Sequence, residues 1–303
     1  MSQNLYSRYM QLPLAQASDS ITPGCLVLEG GAFRGVYSSG VLDVLMEEDI
    51  NFSCTIGVSA GALNGVNYVA GAIGRSARVN LGFRHDRKYV GVSALLRSRS
   101  IIGYDFLFQE TPQFLPLNMD RLMDPRRRFV VVATNCFTGE TEYFEKGKCS
   151  DILLATQASA SMPLVSRMVT VDGRPCLDGG CSVHIPIRWA LEQGYEKIVV
   201  VRTRQRGFRR KEKDGRIERL EKRVYRNYPQ FLEALQASKA TYNRTCDLLD
   251  RLEQEGRIFV LAPMREVRVT RLEGDMEKLG NLYEEGRLET RTLLPKLREY
   301  LAR

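Results

Sequence analysis

A serine in a glycine-flanked turn is the first feature of the sequence that can do chemistry. Ser59 lies in the pentapeptide Gly57-Val58-Ser59-Ala60-Gly61, which matches the nucleophile elbow, a sharp turn that lifts a serine hydroxyl above a sheet between a strand and a helix. Because so short a pattern arises by chance in about one protein in ten, an ordinary serine in a tight turn stays open as an alternative. The β-rich segment before the turn and the small residues after it favour the elbow.

A glycine-rich loop after the preceding predicted strand offers backbone N–H groups. Its small residues, with the start of the next helix, can direct N–H groups and positive potential at a developing oxyanion. The loop also matches a relaxed dinucleotide-binding fingerprint. That interpretation requires an acidic residue at the end of the second strand, where this chain has Ser59. The candidate oxyanion residues are Gly30, Gly31, Ala32, Arg34 and Gly35.

A carboxylate followed by two glycines is the third candidate group. Asp178 follows a predicted strand and precedes Gly179 and Gly180, which allow the backbone to approach closely. A carboxylate there can take the proton of Ser59 if partial burial raises its pKa toward the working pH. An aspartate in a glycine-rich turn is also common without any catalytic role, so Asp178 gains weight only together with the serine and the loop.

These three elements, in this order, resemble the patatin-like phospholipase family. The resemblance covers roughly residues 24–203 and includes the segments 29–35, 57–61, 158–163 (ASASMP) and 178–180. It implies a dyad of Ser59 and Asp178 without histidine, a backbone oxyanion hole, and acyl esters of phospholipids, lysophospholipids or neutral lipids as substrates. The family's third loop glycine is replaced here by Ala32, whose N–H we expect to serve only if its backbone avoids positive φ.

The two histidines of the chain, His85 and His184, test this interpretation. Ser59, Asp178 and His184 satisfy the order of an α/β-hydrolase triad, but in that fold several strands precede the elbow and here one predicted strand does. We therefore expect a structural role for His184, where the family often has asparagine. Neither histidine lies at metal-ligand spacing from cysteines or carboxylates, so we expect no metal and no other cofactor.

The elements that must position these groups predict an α/β fold. Strands are predicted at 25–29, 54–58, 129–134 and 198–202, and the first two are each followed by a helix, which predicts a parallel sheet. Hairpin partners are predicted at 141–144 and across the turn at 172–173. The expected fold is a patatin-like three-layer α/β/α arrangement with a mainly parallel central sheet and a C-terminal α/β extension.

We predict three parts along the chain. Residues 1–20 are expected to be a mobile leader, residues 21–203 a catalytic domain, and residues 204–303 a basic linker with a mainly helical C-terminal region. Residues 80–128 are expected to form an insert over the sheet edge, whose apolar side chains can line an acyl-chain channel or simply pack a helix pair. The role of residues 204–303 stays open between completing the sheet, covering the site and docking a partner.

The charge of the chain bears on its partners. The formal net charge is +8, and its excess lies in residues 202–226, which can contact an anionic membrane surface or form a solvated charged helix. Nucleic acid is not expected, because no aromatic interleaving accompanies the charge. No apolar run approaches the roughly 20 residues of a membrane span, and seven cysteines form no disulfide pattern. A cytoplasmic location is expected, with peripheral contact to the inner membrane face left open.

Two functions remain as hypotheses. The first is a serine acyl-ester hydrolase, a phospholipase or lysophospholipase-like enzyme that uses Ser59 and Asp178. The alternative is a non-catalytic lipid-binding or peripheral membrane protein of the same fold. The sequence fixes neither the headgroup nor the acyl position nor the chain length, because these depend on the shape of a pocket.

Overall fold

The structure is a computed structural model that describes residues 5–211 and 214–303. Its strands are β1 (Ala15–Gln16), β2 (Thr22–Leu28), β3 (Phe52–Val58), β4 (Ala72–Ile73), β5 (Arg128–Asn135), β6 (Thr141–Glu145), β7 (Val169–Val171), β8 (Arg174–Asp178), β9 (Ile198–Val201) and β10 (Phe259–Leu261). Its α-helices are α1 (Val36–Glu47), α2 (Ala60–Val69), α3 (Arg75–Phe83), α4 (Val92–Ser98), α5 (Met119–Met123), α6 (Ile152–Ala160), α7 (Ile187–Glu192), α8 (Gly215–Val224), α9 (Pro229–Gln254) and α10 (Met276–Ala302).

A central sheet carries the site. Its strand order is β10-β9-β2-β3-β5-β8-β7, with β6 also paired to β5. The run from β10 to β5 is parallel, whereas β6 and β8 pair with β5 in the antiparallel sense. Because β2 and β3 are parallel neighbours, the loops that follow them meet at one edge of the sheet. The glycine-rich loop and Ser59 are thereby placed side by side.

Helices cover both faces of this sheet, which confirms the predicted three-layer fold. The central strands β3, β5 and β9 are rich in β-branched residues and, like β2, are mostly buried, as a sheet covered on both sides requires. Side chains on one face pack with α1, α2 and α10 in one core, and those on the other face pack with α7 and α9 in a second core. The predicted hairpins also form, and Asp172 and Gly173 adopt the positive φ values of 48° and 77° that a tight two-residue turn needs.

Residues after 203 contribute to the same sheet and to both helical layers. Strand β10 extends the parallel edge beside β9. Helix α10 packs along α1, and the buried Tyr283 hydroxyl donates to Asp43 at 2.7 Å. Burial is the main cause that raises the pKa of this Asp43 carboxyl to about 7. Helix α10 therefore holds α1, the helix that follows the glycine-rich loop.

The N-terminal segment differs from the expected mobile leader. Residues 5–20 pack onto the fold, whereas residues 1–4 lie outside the described residues. The Tyr6 side chain is 1% exposed and lies directly against Gly280 of α10, and β1 pairs with β4. The segment is mainly polar but carries a few large apolar side chains that pack onto the fold. The sequence pattern did not distinguish such a segment from a solvated arm.

The segment 80–128 forms short helices above the sheet edge. After α3 come α4, a wide helical turn at Phe106–Glu110 and α5. Its aromatic rings form a cluster in which Phe83, Phe106 and Phe114 have centroids within 6.4 Å of each other. None of the helices in the described residues is long and apolar enough to cross a bilayer.

Candidate active site

Ser59 occupies a strained turn between β3 and α2. Its backbone has φ 56° and ψ −122°, a conformation that costs a non-glycine residue roughly 1–3 kcal/mol and clusters at functional sites. The side chain is buried, and its hydroxyl donates a hydrogen bond of 2.7 Å to Oδ2 of Asp178. The sharp turn therefore points the hydroxyl at a carboxylate that is 119 residues away in sequence.

The flanking glycines make this turn possible through close approach. A Cβ on Gly57 would lie 2.6 Å from the carbonyl oxygen of Gly61, and a Cβ on Gly61 would lie 2.5 Å from the carbonyl oxygen of Leu28. Real Cβ atoms essentially never come so close to backbone atoms. Both elbow glycines are thus required by packing of the turn against itself and against β2.

Asp178 ends β8 next to the antiparallel strand β5, where it pairs with Ala133. One carboxylate oxygen accepts from Ser59, and the other accepts the backbone N–H of Gly180 at 2.7 Å. Burial raises the pKa of Asp178 above its ordinary value, while these two hydrogen bonds and the charges of Arg271 and Arg210 act in the opposite direction. The carboxylate is therefore a stronger base than a solvated aspartate.

Ser159 is a site residue that has no assigned role in the sequence interpretation. It lies in α6, fully buried, and its hydroxyl accepts the backbone N–H of Ser59 at 2.8 Å and donates to the carbonyl of Val132 at 2.5 Å. The strained Ser59 peptide is thus tied to β5, and its N–H is engaged. The segment 158–163 belonged to the family resemblance, and that was the available signal for Ser159.

The glycine-rich loop forms a short 3-10 helix at Ala32–Gly35. Ala32 has φ 50°, so the condition set for the use of its N–H, a backbone that avoids positive φ, is not met. An alanine tolerates this region at a cost of about 1–2 kcal/mol, and its N–H remains in place. Among the hydrogen bonds of residues 5–211 and 214–303, none uses the N–H of Gly31 or Ala32 as donor. Both are available to an external acceptor.

Helix α2 fixes this loop beside Ser59. The Asn64 side chain donates to the carbonyl of Gly35 at 2.8 Å and accepts from Ser39 and Ser76. At the other end of the loop, the N–H of Gly30 donates to the carbonyl of His184 at 3.3 Å. The loop is therefore held at both ends by groups that belong to the same site.

Arg34 turns away from the serine. Its guanidinium is buried, and burial is the main cause that lowers its pKa to about 10, with further lowering by Arg204 and Arg271. In the described part of the chain it makes no salt bridge, and its Nε has no hydrogen-bond partner. A structural salt bridge of Arg34 is therefore not formed within these residues.

An apolar cavity of about 70 Å³ opens at Ser59. Ala32, Gly35 and Ala60 line it beside the serine. Much of the rest is apolar and includes side chains of the insert, so the insert contributes to the wall of this cavity. The insert residues that line it are Asn80, Tyr89, Ile102, Leu107 and Phe108.

His184 lies near the site but outside the serine–carboxylate pair. Its ring packs edge-on against Tyr242 with centroids 5.3 Å apart, and it lies beside Gly180. Within the described residues, the hydroxyl of Ser59 and the carboxylate of Asp178 bond to each other and not to this imidazole. The geometry favours a supporting position for His184.

The arrangement has the chemistry for acyl transfer. A buried hydroxyl contacts a carboxylate of raised pKa, and both Ser59 and Ala32 of the glycine-rich loop line an apolar cavity. In the residues that the structure describes, no group of three histidine, cysteine, aspartate or glutamate side chains is placed to hold a metal ion.

Family comparisons add two matches. A family described as patatin-like phospholipase matches residues 26–191, more than half of the 303-residue chain. A second family, described as a domain of unknown function (DUF6363), matches residues 228–302. The first match contains the glycine-rich loop, Ser59 and Asp178, and the second contains α9 and α10.

Individual proteins are similar to this chain at different levels. The "Uncharacterized protein YjjU" of Escherichia coli (strain K12) is 33% identical over 183 residues, which cover 59% of this chain and 51% of that protein. The chain thus spans about half the length of this curated relative. The crystal structure of VipD from Legionella pneumophila aligns with a TM-score of 0.46 and 13% identity, covering 98% of this chain and 71% of that chain.

Proposed function

The chain belongs to the patatin-like phospholipase family, and from this premise we propose that it is a serine acyl-ester hydrolase of lipids. Family membership supports lipid acyl hydrolysis in general. The finer assignment is that Ser59 is the nucleophile, Asp178 its base, and the loop from Gly30 to Gly35 the oxyanion hole. The observation that carries it is the 2.7 Å hydrogen bond from the Ser59 hydroxyl to Asp178 at the mouth of an apolar cavity.

The first half of the reaction forms an acyl-enzyme. Asp178 takes the proton of Ser59 as the serine oxygen attacks the ester carbonyl carbon, giving a tetrahedral intermediate with a negative oxygen. When the intermediate collapses, the carbon–oxygen bond to the alcohol breaks and the proton passes from Asp178 to the departing alcohol. The acyl chain stays on Ser59 and lies along the apolar cavity.

The second half releases the fatty acid. Asp178 takes a proton from water, the hydroxide attacks the acyl carbonyl, and Ser59 leaves with that proton. A single carboxylate thus serves as base and acid in turn. This role needs a pKa above that of a solvated aspartate, which burial supports.

The oxyanion is assigned to the N–H groups of Gly31 and Ala32. They have no acceptor among the described residues, and Ala32 lines the cavity next to Ser59. The N–H of Ser59 is unsuited, because Ser159 accepts it. Such preorganised donors are worth about 10²–10³ in rate each.

Purified protein is therefore expected to hydrolyse short and medium-chain p-nitrophenyl esters and to release fatty acid from phospholipid vesicles without added metal. The variant His184→Gln is expected to keep hydrolysis within about tenfold of wild type, because a residue outside the proton transfer costs less than the 10²–10⁴ of a general base. Initial rates and fatty-acid release measure both. An inert wild type favours the lipid-binding alternative, and an inactive but folded His184→Gln reopens the triad.

We also propose that α8 contacts an anionic membrane surface, as part of the 202–226 stretch, of which residues 212–213 lie outside the described residues. Ile217, Leu220 and Val224 are 46%, 47% and 49% exposed on one face of this helix. Basic side chains flank them at Arg216, Arg219, Lys222 and Arg223. An exposed apolar stripe beside basic residues suits the surface of an anionic bilayer, and a cytoplasmic location at its inner face belongs to this proposal.

The double variant Ile217→Ser/Leu220→Ser is expected to bind phosphatidylglycerol vesicles about tenfold more weakly, because each side chain forfeits burial of its exposed half in the bilayer. Vesicle flotation at fixed ionic strength measures the bound fraction. Leu288→Ser, on an exposed leucine of α10, is the matched control and should bind as wild type. Unchanged binding of the double variant would contradict the contact.

A further inference from the structure

A second cavity, of about 220 Å³, lies on the other side of the glycine-rich loop. We call it the basic cavity. Gly30 and Arg34 of the loop line the basic cavity, whereas Ala32, Phe33 and Gly35 line the apolar cavity at Ser59. Its volume is well above the roughly 10–15 Å³ that a single water needs. The glycine-rich loop therefore separates the apolar cavity from the basic cavity.

Positive charge dominates the lining of the basic cavity. Among the described residues that line it, six side chains are cationic and Glu29 is the single carboxylate. The cationic residues are Arg34, Arg204, Arg210, Lys211, Lys239 and Arg271. Both oxygens of Glu29 accept hydrogen bonds, from the hydroxyl of Tyr242 at 2.8 Å and from the N–H of Thr203 at 2.6 Å. Its single charge acts on Arg34, Arg204 and Arg210 but offsets only one of the six positive charges.

The four arginines lack partner carboxylates. In the part of the chain that the structure describes, none of their guanidinium groups has a carboxylate oxygen within 4.0 Å. Arg204 and Arg210 lie instead over aromatic rings, 4.6 Å from the centroid of Phe208 and 4.4 Å from that of Tyr242. Arg204 also donates to the carbonyl of Val267 at 2.6 Å. Such stacking fixes each guanidinium, and the N–H groups that are not used in this way can bond an anion.

Arg34 is the innermost of these groups. It is 8% exposed, lines the basic cavity, and has an Nε without a hydrogen-bond partner. A buried, unpaired donor of this kind is costly unless a ligand satisfies it. Burial, followed by the neighbouring arginines, lowers the pKa of Arg34, and burial also lowers those of Arg204 and Arg210. A bound anion would accept from the unpaired Nε of Arg34 and would also offset the charge of these buried arginines.

We propose that the basic cavity is a binding site for a phosphate group. Several guanidinium forks around one space match the many acceptor oxygens and double charge of a phosphate better than a single carboxylate. Arg210, Lys211 and Arg271 lie beyond the patatin-like match, and Arg271 and Lys239 lie within the region of unknown function. Part of that C-terminal region thereby acquires a binding role next to the candidate oxyanion hole.

Phosphate binding is measured by isothermal titration calorimetry of the full chain with inorganic phosphate, with acetate at matched ionic strength as the carboxylate comparison. Saturable phosphate binding that acetate does not reproduce is expected. Arg271→Gln and Arg210→Gln are each expected to weaken it by about tenfold or more, the usual scale of a charge-assisted bond. Arg271 is exposed, so the Arg271 variant should fold even if the Arg210 variant does not. The control Arg268→Gln, whose side chain is 86% exposed outside the cavity, should bind as wild type.

No saturable phosphate binding, or binding that neither arginine variant weakens, overturns the proposal. Because binding is measured without turnover, this result is independent of whether the chain hydrolyses esters. Enzyme kinetics distinguish whether the bound phosphate belongs to the substrate or to a soluble ligand. This second experiment rests on the proposed function. If the group belongs to the substrate, inorganic phosphate raises the KM for lysophosphatidic acid and leaves monoacylglycerol hydrolysis unchanged. If it is a soluble ligand, inorganic phosphate changes the hydrolysis of both.

Discussion

Replacement of Ser59 by alanine is expected to lower ester hydrolysis by about 10⁴-fold or more, the scale seen when a catalytic nucleophile is removed. Without the hydroxyl no acyl-enzyme forms, and Asp178 loses its proton donor at 2.7 Å. Fold and substrate binding should survive, because the substitution removes one atom and an alanine occupies the same backbone conformation no worse than the serine. The measurement is kcat on a medium-chain p-nitrophenyl ester.

The matched control for this variant is Ser53→Ala. Ser53 lies at the opposite end of β3, where its hydroxyl donates to the carbonyl of Gly24 at 3.1 Å. Its loss removes a hydroxyl from the same strand without touching the site, so kcat should stay near that of wild type. Retention of more than about a hundredth of wild-type kcat in purified Ser59→Ala would contradict the role of nucleophile, since loss of a general base alone costs about 10²–10⁴-fold and loss of the nucleophile must cost at least as much.

Asp178→Asn is expected to lower kcat by about 10³-fold, within the range of a lost general base. An amide has nearly the shape of the carboxylate but cannot take the Ser59 proton. Asp172→Asn, in the turn of the same β7–β8 hairpin, is the control, because asparagine tolerates its φ of 48°. Near-wild-type kcat in Asp178→Asn would remove this residue from the mechanism.

The raised pKa of Asp178 predicts how both activity and stability depend on pH. Because the base must be ionised, the acidic limb of kcat/KM against pH should lie above the ordinary aspartate pKa of about 3.9. Between its ordinary and its raised pKa, the folded state holds more protons than the unfolded state, so the contribution of Asp178 to stability falls as pH rises through that interval. Asp178→Asn should therefore lose no thermal stability at pH 7, which a melting curve tests.

Hydrophobic periodicity and turn residues were enough to predict most of the fold from the sequence. The strand at 54–58, the turn at Ser59 and the helix from Ala60 were all expected, and the parallel order of β2 and β3 follows from two consecutive βα units. The hairpin at Asp172-Gly173 follows from its turn residues. These signals are local, so a sequence pattern contains them. The proximity of Asp178 to Ser59 is not local, and the expectation for that pair came from the family resemblance.

Long-range features were not predictable in the same way. Ser159 is 100 residues from the N–H that it accepts, and nothing in its local pattern distinguishes it from a helix serine. The basic cavity joins the loop after β2 to residues from Arg204 to Arg271, which the sequence showed only as a charge excess after residue 202. The packing of Tyr6 against α10 depends equally on a contact between the two ends of the chain.

Covalent labelling tests whether Ser59 is the nucleophile of an acyl-ester hydrolase. The purified chain is incubated with a fluorophosphonate, which phosphonylates activated serines, and the adduct is located by mass spectrometry of peptides. We expect one adduct, on Ser59, absent in Ser59→Ala and formed much more slowly in Asp178→Asn, with loss of ester hydrolysis in proportion to labelling. An adduct on another serine that accounts for the lost hydrolysis, or an unlabelled protein that hydrolyses esters at full rate, would contradict it.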